Sequence, residues 1–157
     1  MATGAKLYCF DTSEGFDNRD IRTEATTSDV QAHLGVFSDT SIELAVRDFT
    51  DGAPSDRLVI RRGFFPQTFA GVEDLKWRFV LLDADLYAPI RRGLEAFWPA
   101  LVAGGLIVVH DYLSDHFTGA RQAVDEFFEP LGVVPIPWPD RVGSAVIVKP
   151  RAPTKGG

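Results

Sequence analysis

The sequence contains one cysteine, Cys9, in 157 residues. No disulfide can form within the chain, and a reducing cytoplasm suits it better than a secreted, cross-linked scaffold. Long apolar runs are also missing. The most apolar stretches, FVLLDADL and GGLIVVHDY, are broken by acids, well short of the roughly 20 residues that span a bilayer. MATGAKLYCF at the start lacks the apolar core of a signal peptide. Basic residues are in the minority, 16 Lys and Arg against 22 Asp and Glu, for a formal net charge of −6. A nucleic-acid groove needs clustered Lys and Arg to neutralise phosphates, which this balance argues against. The pairs Arg61–Arg62 and Arg91–Arg92 are isolated and read as solvated surface. These absences predict a soluble, cytoplasmic protein with neither a nucleic-acid nor a membrane partner.

What is present is a globular composition, 45% hydrophobic and 24% charged, with apolar clusters separated by Gly, Pro, Asp and Ser. The length suits one core, so we read residues 1–150 as a single domain and RAPTKGG, 151–157, as a frayed tail. Lys6–Phe10 predicts a strand running into the polar DTSEGFDNRD, and residues 12–26 show little periodicity and read as mobile. A short helix is possible at Ser28–Leu34. SDTSIELAVRDF predicts a firmer one, with Ile42, Val46 and Phe49 at helical spacing. DRLVIRRG predicts a second strand, Pro66 a helical turn, and WRFVLLDADLY a third strand. A helix through Leu94, Phe97 and Leu101 should close at Gly104–Gly105, followed by the strand LIVVHDY and the helix GARQAVDEFFEPLG. VVPIPW and GSAVIVKP should pair antiparallel. Strands alternating with helices imply an α/β fold, a mostly parallel sheet with helices on both faces and a C-terminal antiparallel hairpin.

In such sheets ligands sit beyond the carboxyl ends of the strands, and three of those ends carry acid: Asp11, Asp83 with Asp85, and Asp111. Strand alternation would point Asp83 and Asp85 to the same side. Two unpaired carboxylates repel and resist desolvation, costs that a bound cation removes, and Mg²⁺ prefers oxygen ligands. The plainer alternative is that one of them caps the following helix. His110 can be a ligand or a hydrogen-bonded core histidine, whereas Asp111 closes a buried strand and needs a partner. Asp83 and Asp111 therefore suggest a metal pair, with Asp85 left as a possible general base. Asp11 stands where nucleotide-binding sheets place an acid on ribose hydroxyls, or else forms an Asx-turn. Tyr87, Tyr112 and His116 could wall a cleft but are more simply core or rim, and Trp77, Trp98 and Trp138 are most simply packing residues.

The ordered set FDTSEGF, FSDTS, RRGFFPQTF, FVLLDADLY, GGLIVVHDY and GARQAVDEFF, spanning roughly residues 8–128, resembles the macrocin O-methyltransferase-like family. That family methylates hydroxyls on sugars of natural products with S-adenosylmethionine. The resemblance implies a Rossmann-like methyltransferase sheet and a small-molecule hydroxyl acceptor. It also implies Mg²⁺ or a similar divalent cation on Asp83, His110 and Asp111, with Asp85 as the base. Asp11 would hold the cosubstrate ribose, and Gly63 and Phe64 would lie against the adenine. His110 stands where many relatives carry Asp, which lowers the negative charge offered to Mg²⁺. The Gly-rich turn of the family's first strand has no counterpart, since no GxGxxG run occurs. The chain thus reads as an N-terminally truncated form lacking the usual first strand. Lys6–Phe10 should then have lost its central neighbour: either it pairs with Trp77–Leu82, or another chain completes the sheet, or the sequence is a fragment, and an exposed strand makes self-association a reasonable expectation. Weak or absent cosubstrate binding follows. The rival readings are a truncated non-catalytic relative, a DxD-type metal-dependent glycosyltransferase and, more remotely, an aspartyl phosphatase.

Overall fold

The structure, a computed structural model, describes residues 4–27, 47 and 56–151. The two helices expected at Ser28–Leu34 and within Ser38–Phe49 lie outside the described residues, except for Arg47, which is helical. Strand β1, Leu7–Asp11, is followed by helix α1, Asn18–Thr27. Strand β2, Leu58–Arg62, leads through a short 3-10 turn at Gln67–Phe69 to β3, Trp77–Leu82. Helix α2, Tyr87–Ala100, passes directly into β4, Leu101–Val109. Helix α3, Thr118–Phe128, and the strands β5, Ile136–Pro137, and β6, Ala145–Val148, complete the order. No described helix is long and apolar enough to cross a membrane.

The strands form a parallel pair, β1–β2, and a four-stranded sheet in the order β3–β4–β6–β5. Strand β4 is parallel to β3 and antiparallel to β6, and β5–β6 is the expected hairpin. The α/β architecture read from the sequence is therefore present. Direct pairing of the first strand with Trp77–Leu82 is not: β1 is bonded to β2 in register from Leu7↔Leu58 to Asp11↔Arg62. It meets β3 through rings, Tyr8 standing edge-on to Trp77 with centroids 5.3 Å apart. Phe10 sits among Phe65, Phe69, Trp77 and Phe97 at 5.7 to 6.4 Å. The Trp77 indole N–H at this junction is buried without a hydrogen-bond partner among the described residues.

One face of the larger sheet carries Val80, Leu82, Ile107, Val109, Ala145 and Ile147, all buried against Ile90, Leu94 and Phe97 of α2 and Ala120, Val124 and Phe128 of α3. Each fully buried aliphatic or Phe side chain contributes about 2 kcal/mol, so this two-layer core fixes the strand ends. Helices were expected on both faces. Among the described residues α2 and α3 share one, and on the other Phe79 and Leu81 remain 56% and 53% exposed. The expected stop of α2 at Gly104–Gly105 is also corrected. The chain turns extended at Leu101, and the Nζ of Lys149 donates to the carbonyls of Trp98, Pro99 and Leu101 at 2.6, 3.1 and 2.8 Å. A cation there satisfies the last carbonyls and complements the negative end of the helix. Gly104 and Gly105 lie inside β4, near the register shift between Trp77 and Phe79.

Segment 12–26, read as mobile, is largely helix α1. Asp17 caps it, Oδ1 accepting the Arg19 N–H at 2.8 Å. The absence of apolar periodicity misled because the buried side chains of α1 include two acids, Asp20 and Glu24.

Candidate active site at the strand ends

The carboxyl ends of β1, β2, β3 and β4 open on one pocket of about 560 Å³, lined by Asp11, Gly63, Phe64, Asp83, Asp85, His110 and Asp111 among others. The seven residues given cosubstrate, base or metal roles in the sequence thus line the same space. They come from four strand ends, so the pocket is a product of the topology and not of any one motif.

At the ends of β3 and β4, Asp83, His110 and Asp111 bring ligand atoms within 4.8 Å of one another. His110 Nδ1 lies 2.6 Å from Asp111 Oδ2 and 3.1 Å from Asp83 Oδ1. A proton on Nδ1 therefore stands between two carboxylates. Burial lowers the His110 pKa, but the hydrogen bond to Asp111 and the charges of Asp83, Asp111 and Asp140 outweigh it, and the net direction is upward. Partial burial raises the Asp83 pKa, His110 opposing and Asp111 reinforcing. Asp85 is displaced most, to about 7, by burial, by its hydrogen bond with Asp111 and by the charges of Asp111 and Asp83, against His110. A carboxyl buried beside other acids keeps its proton longer, because ionising it there is costly at low dielectric.

The expected strand alternation does not place Asp83 and Asp85, since β3 ends at Leu82. Asp85 lies in the loop after the strand with a left-handed backbone, φ 57°, and Asp111 has the same φ. Non-glycine residues in this region cost of order 1 kcal/mol or more, and such strain gathers at functional sites. Helix capping by either acid is also set aside: the N-cap of α2 is Leu86, with no side-chain cap, and the Tyr87 N–H donates to Glu24.

On the other side of the pocket, Asp11 is exposed and its Oδ1 accepts the Ser13 N–H at 2.5 Å. The Asx-turn is therefore real, and the residue still lines the pocket. Gly63, φ 134°, donates its N–H to the Asp11 carbonyl at 2.9 Å, and a Cβ there would stand 3.0 Å from Thr68 Cγ2. Gly63→Ala is accordingly expected to destabilise the fold by about 1–3 kcal/mol, read as a lowered urea midpoint; an unchanged midpoint would contradict the strained geometry. The Phe64 ring has the Arg19 guanidinium 3.5 Å from its centroid and that of Arg92 at 5.0 Å. Arg92 is thus not solvated surface as expected, since it also pairs with the buried Asp20.

Tyr87 and Tyr112 do not line the pocket; their hydroxyls donate to Glu126 and Asp125, each at 2.7 Å. His116 is likewise outside it. Trp77 and Trp98 pack against the core, but Trp138 is 58% exposed and does not. The sequence reading missed Phe16 and Phe117, which line the pocket and stack edge-on 6.1 Å apart, and it missed Asp17 and Asp20. The signal available was Asp17 three residues before Asp20, an N-cap pattern that marks the start of α1.

The macrocin O-methyltransferase (TylF) family model matches residues 2–143, nearly the whole chain. The chain belongs to this family. No curated protein matches it in sequence. Among solved structures, CalS11, a calicheamicin methyltransferase, superposes with a TM-score of 0.69 at 20% identity, covering 91% of this chain and 60% of that one. The O-methyltransferase NovP gives 0.69 at 17% identity, covering 93% and 60%. An apo structure of CalS11, titled a TDP-rhamnose 3'-O-methyltransferase, gives 0.60 at 17%, covering 91% and 58%. At these identities the likeness establishes the methyltransferase fold, and the macrocin O-methyltransferase family member described here spans about 60% of the first two relatives' length.

Proposed function

We propose that this chain carries the acceptor side and the adenine side of an S-adenosylmethionine-dependent O-methyltransferase site that methylates a hydroxyl of a sugar or related natural product. The observation that carries this reading is the single pocket shared by Asp11, Gly63 and Phe64 with Asp83, Asp85, His110 and Asp111, in a chain matched by the family model over residues 2–143. A DxD glycosyltransferase would leave that match without explanation.

Asp83, His110 and Asp111 suit a divalent cation: two carboxylates and an imidazole converge within 4.8 Å, and burial, reinforced by the charge of Asp111, raises Asp83 against His110. When bound, the cation would supply the positive charge that makes an acceptor hydroxyl easier to deprotonate. The mixed oxygen and nitrogen set fits Mn²⁺ at least as well as Mg²⁺. Asp85 is the base in this reading: ionised, its carboxylate takes the hydroxyl proton, and its pKa, raised to about 7, suits proton transfer near neutral pH. Asp11 would accept hydrogen bonds from ribose hydroxyls, and Phe64 would stack on the adenine with Gly63 leaving room beside it. S-adenosylmethionine supplies the electrophilic methyl group. Phe16 and Phe117 would exclude water from the acceptor side.

A second reading, a non-catalytic relative, is favoured by one observation: β1 and β3 lie in separate sheets and touch through aromatic rings. Both readings predict weak cosubstrate binding by this chain. Titrating S-adenosylmethionine into the ¹⁵N-labelled protein should move the amides of Asp11, Gly63 and Phe64, with saturation only well above micromolar. Unmoved amides would sink the cosubstrate assignment, and micromolar saturation would sink the weak-binding expectation.

A further inference from the structure

Glu24 is completely buried, on a helix the apolar pattern did not reveal. Its Oε2 accepts the N–H of Tyr87, the first residue of α2, at 2.7 Å. Its other oxygen lies against Gly119 in the first turn of α3, so closely that a Cβ on Gly119 would stand 2.2 Å from Oε1. Neither helix has a side-chain cap of its own: the N-cap residues are Leu86 and Phe117. One carboxylate from α1 thus accepts from the first N–H of α2 and packs on the first turn of α3, ends where helix dipoles favour negative charge.

Those two starts are where the acid-bearing loops end. Asp83 to Leu86 runs into α2, and His110 to Phe117 runs into α3. Within these loops Asp85 and Asp111 hold left-handed backbones, which persist only where the surroundings over-determine them. The Asp20–Arg92 pair ties α1 to α2 a second time. We propose that Glu24 is a positioning residue: by anchoring the first turns of α2 and α3 together, it sets the distance between the Asp83–Asp85 loop and the His110–Asp111 loop. The proposal rests on reading those acids as the reactive site, and it assigns Gly119 a matching role, since no larger residue leaves room for the carboxylate.

The test uses amide hydrogen exchange together with Mn²⁺ binding followed by electron paramagnetic resonance. In Glu24→Ala, exchange at Asp85, Leu86, Tyr87 and Gly119 should quicken by about tenfold or more while the β4 and β6 amides keep wild-type rates. Mn²⁺ affinity should fall about tenfold, the scale seen when support for metal ligands is removed. Glu24→Gln, whose amide oxygen still accepts from Tyr87, should retain most of both. Exchange that quickens uniformly through β4 and β6, or loops that behave as wild type, would overturn the proposal. Should Glu24→Ala not fold, Gly119→Ala presses a methyl on the carboxylate without removing it and should reproduce the local pattern; wild-type exchange in that variant overturns the proposal equally. A wild-type chain that binds no Mn²⁺ would remove the metal reading alone, the exchange measurement still deciding for or against Glu24.

Discussion

Replacing Asp85 by Asn is expected to stabilise the metal-free protein by about 2 kcal/mol at about pH 8 while removing the proposed base. The folded-state pKa of Asp85 is raised from 3.8 to about 7. A group raised on folding keeps its proton in the native state after the unfolded chain has lost it. Stability is then whole below the unfolded pKa, falls as pH rises toward the folded value, and stays reduced above it. A displacement from 3.8 to about 7 corresponds to about 4 kcal/mol, and solvent screening at this half-buried position brings that to about 2. Asn cannot ionise, so the penalty disappears. It also tolerates a left-handed backbone, which Asp85 has at φ 57°, so the exchange adds no strain. Urea melts should therefore show the variant gaining on the wild type between about pH 4 and about pH 7 and matching it at lower pH. A variant equal to or less stable than the wild type at about pH 8 would show that Asp85 is not held against its preference.

The second large effect concerns the cation. Asp83→Asn and Asp111→Asn should each weaken Mn²⁺ binding by about 100-fold or more, since a ligand matters at least as much as its supporting shell. Asp111 should be the more sensitive, being 6% exposed and in contact with both His110 and Asp85. Wild-type affinity should also rise with pH. His110 holds its proton more tightly than usual, between Asp83 and Asp111. A cation must displace that proton, so acid competes with it. Isothermal titration in buffers of different ionisation enthalpy should show proton release on binding. Wild-type binding retained by both variants, or affinity independent of pH, would remove these residues from the metal assignment.

How far the sequence could be read differs from element to element. Strands β3 and β4 were legible because continuous apolar runs bounded by acids leave few alternatives for a buried parallel strand. Helix α1 was not, because its buried side chains include Asp20 and Glu24, which are satisfied by Arg92 and by the Tyr87 N–H. Those partners lie more than sixty residues along the chain, and hydrophobic periodicity carries no trace of them. Gly104–Gly105 read as a helix stop, yet Lys149 provides the carbonyl partners that end α2 earlier. Alternation misplaced Asp85 for a related reason: a left-handed residue breaks the period of two, and its conformation is sustained by neighbours from other elements.

The sequence by itself determined which residues stand at the strand ends, that three of those ends are acidic, and, through ordered motifs, which family the chain belongs to. These are properties of local order along the chain. Only the tertiary structure decided that Asp85 is held well above its usual pKa beside Asp111, that His110 faces two carboxylates, and that one buried glutamate meets the starts of the helices behind both acid loops. Desolvation, strained backbone and hydrogen-bond partners all depend on groups brought together from distant parts of the sequence, and packing alone supplies them.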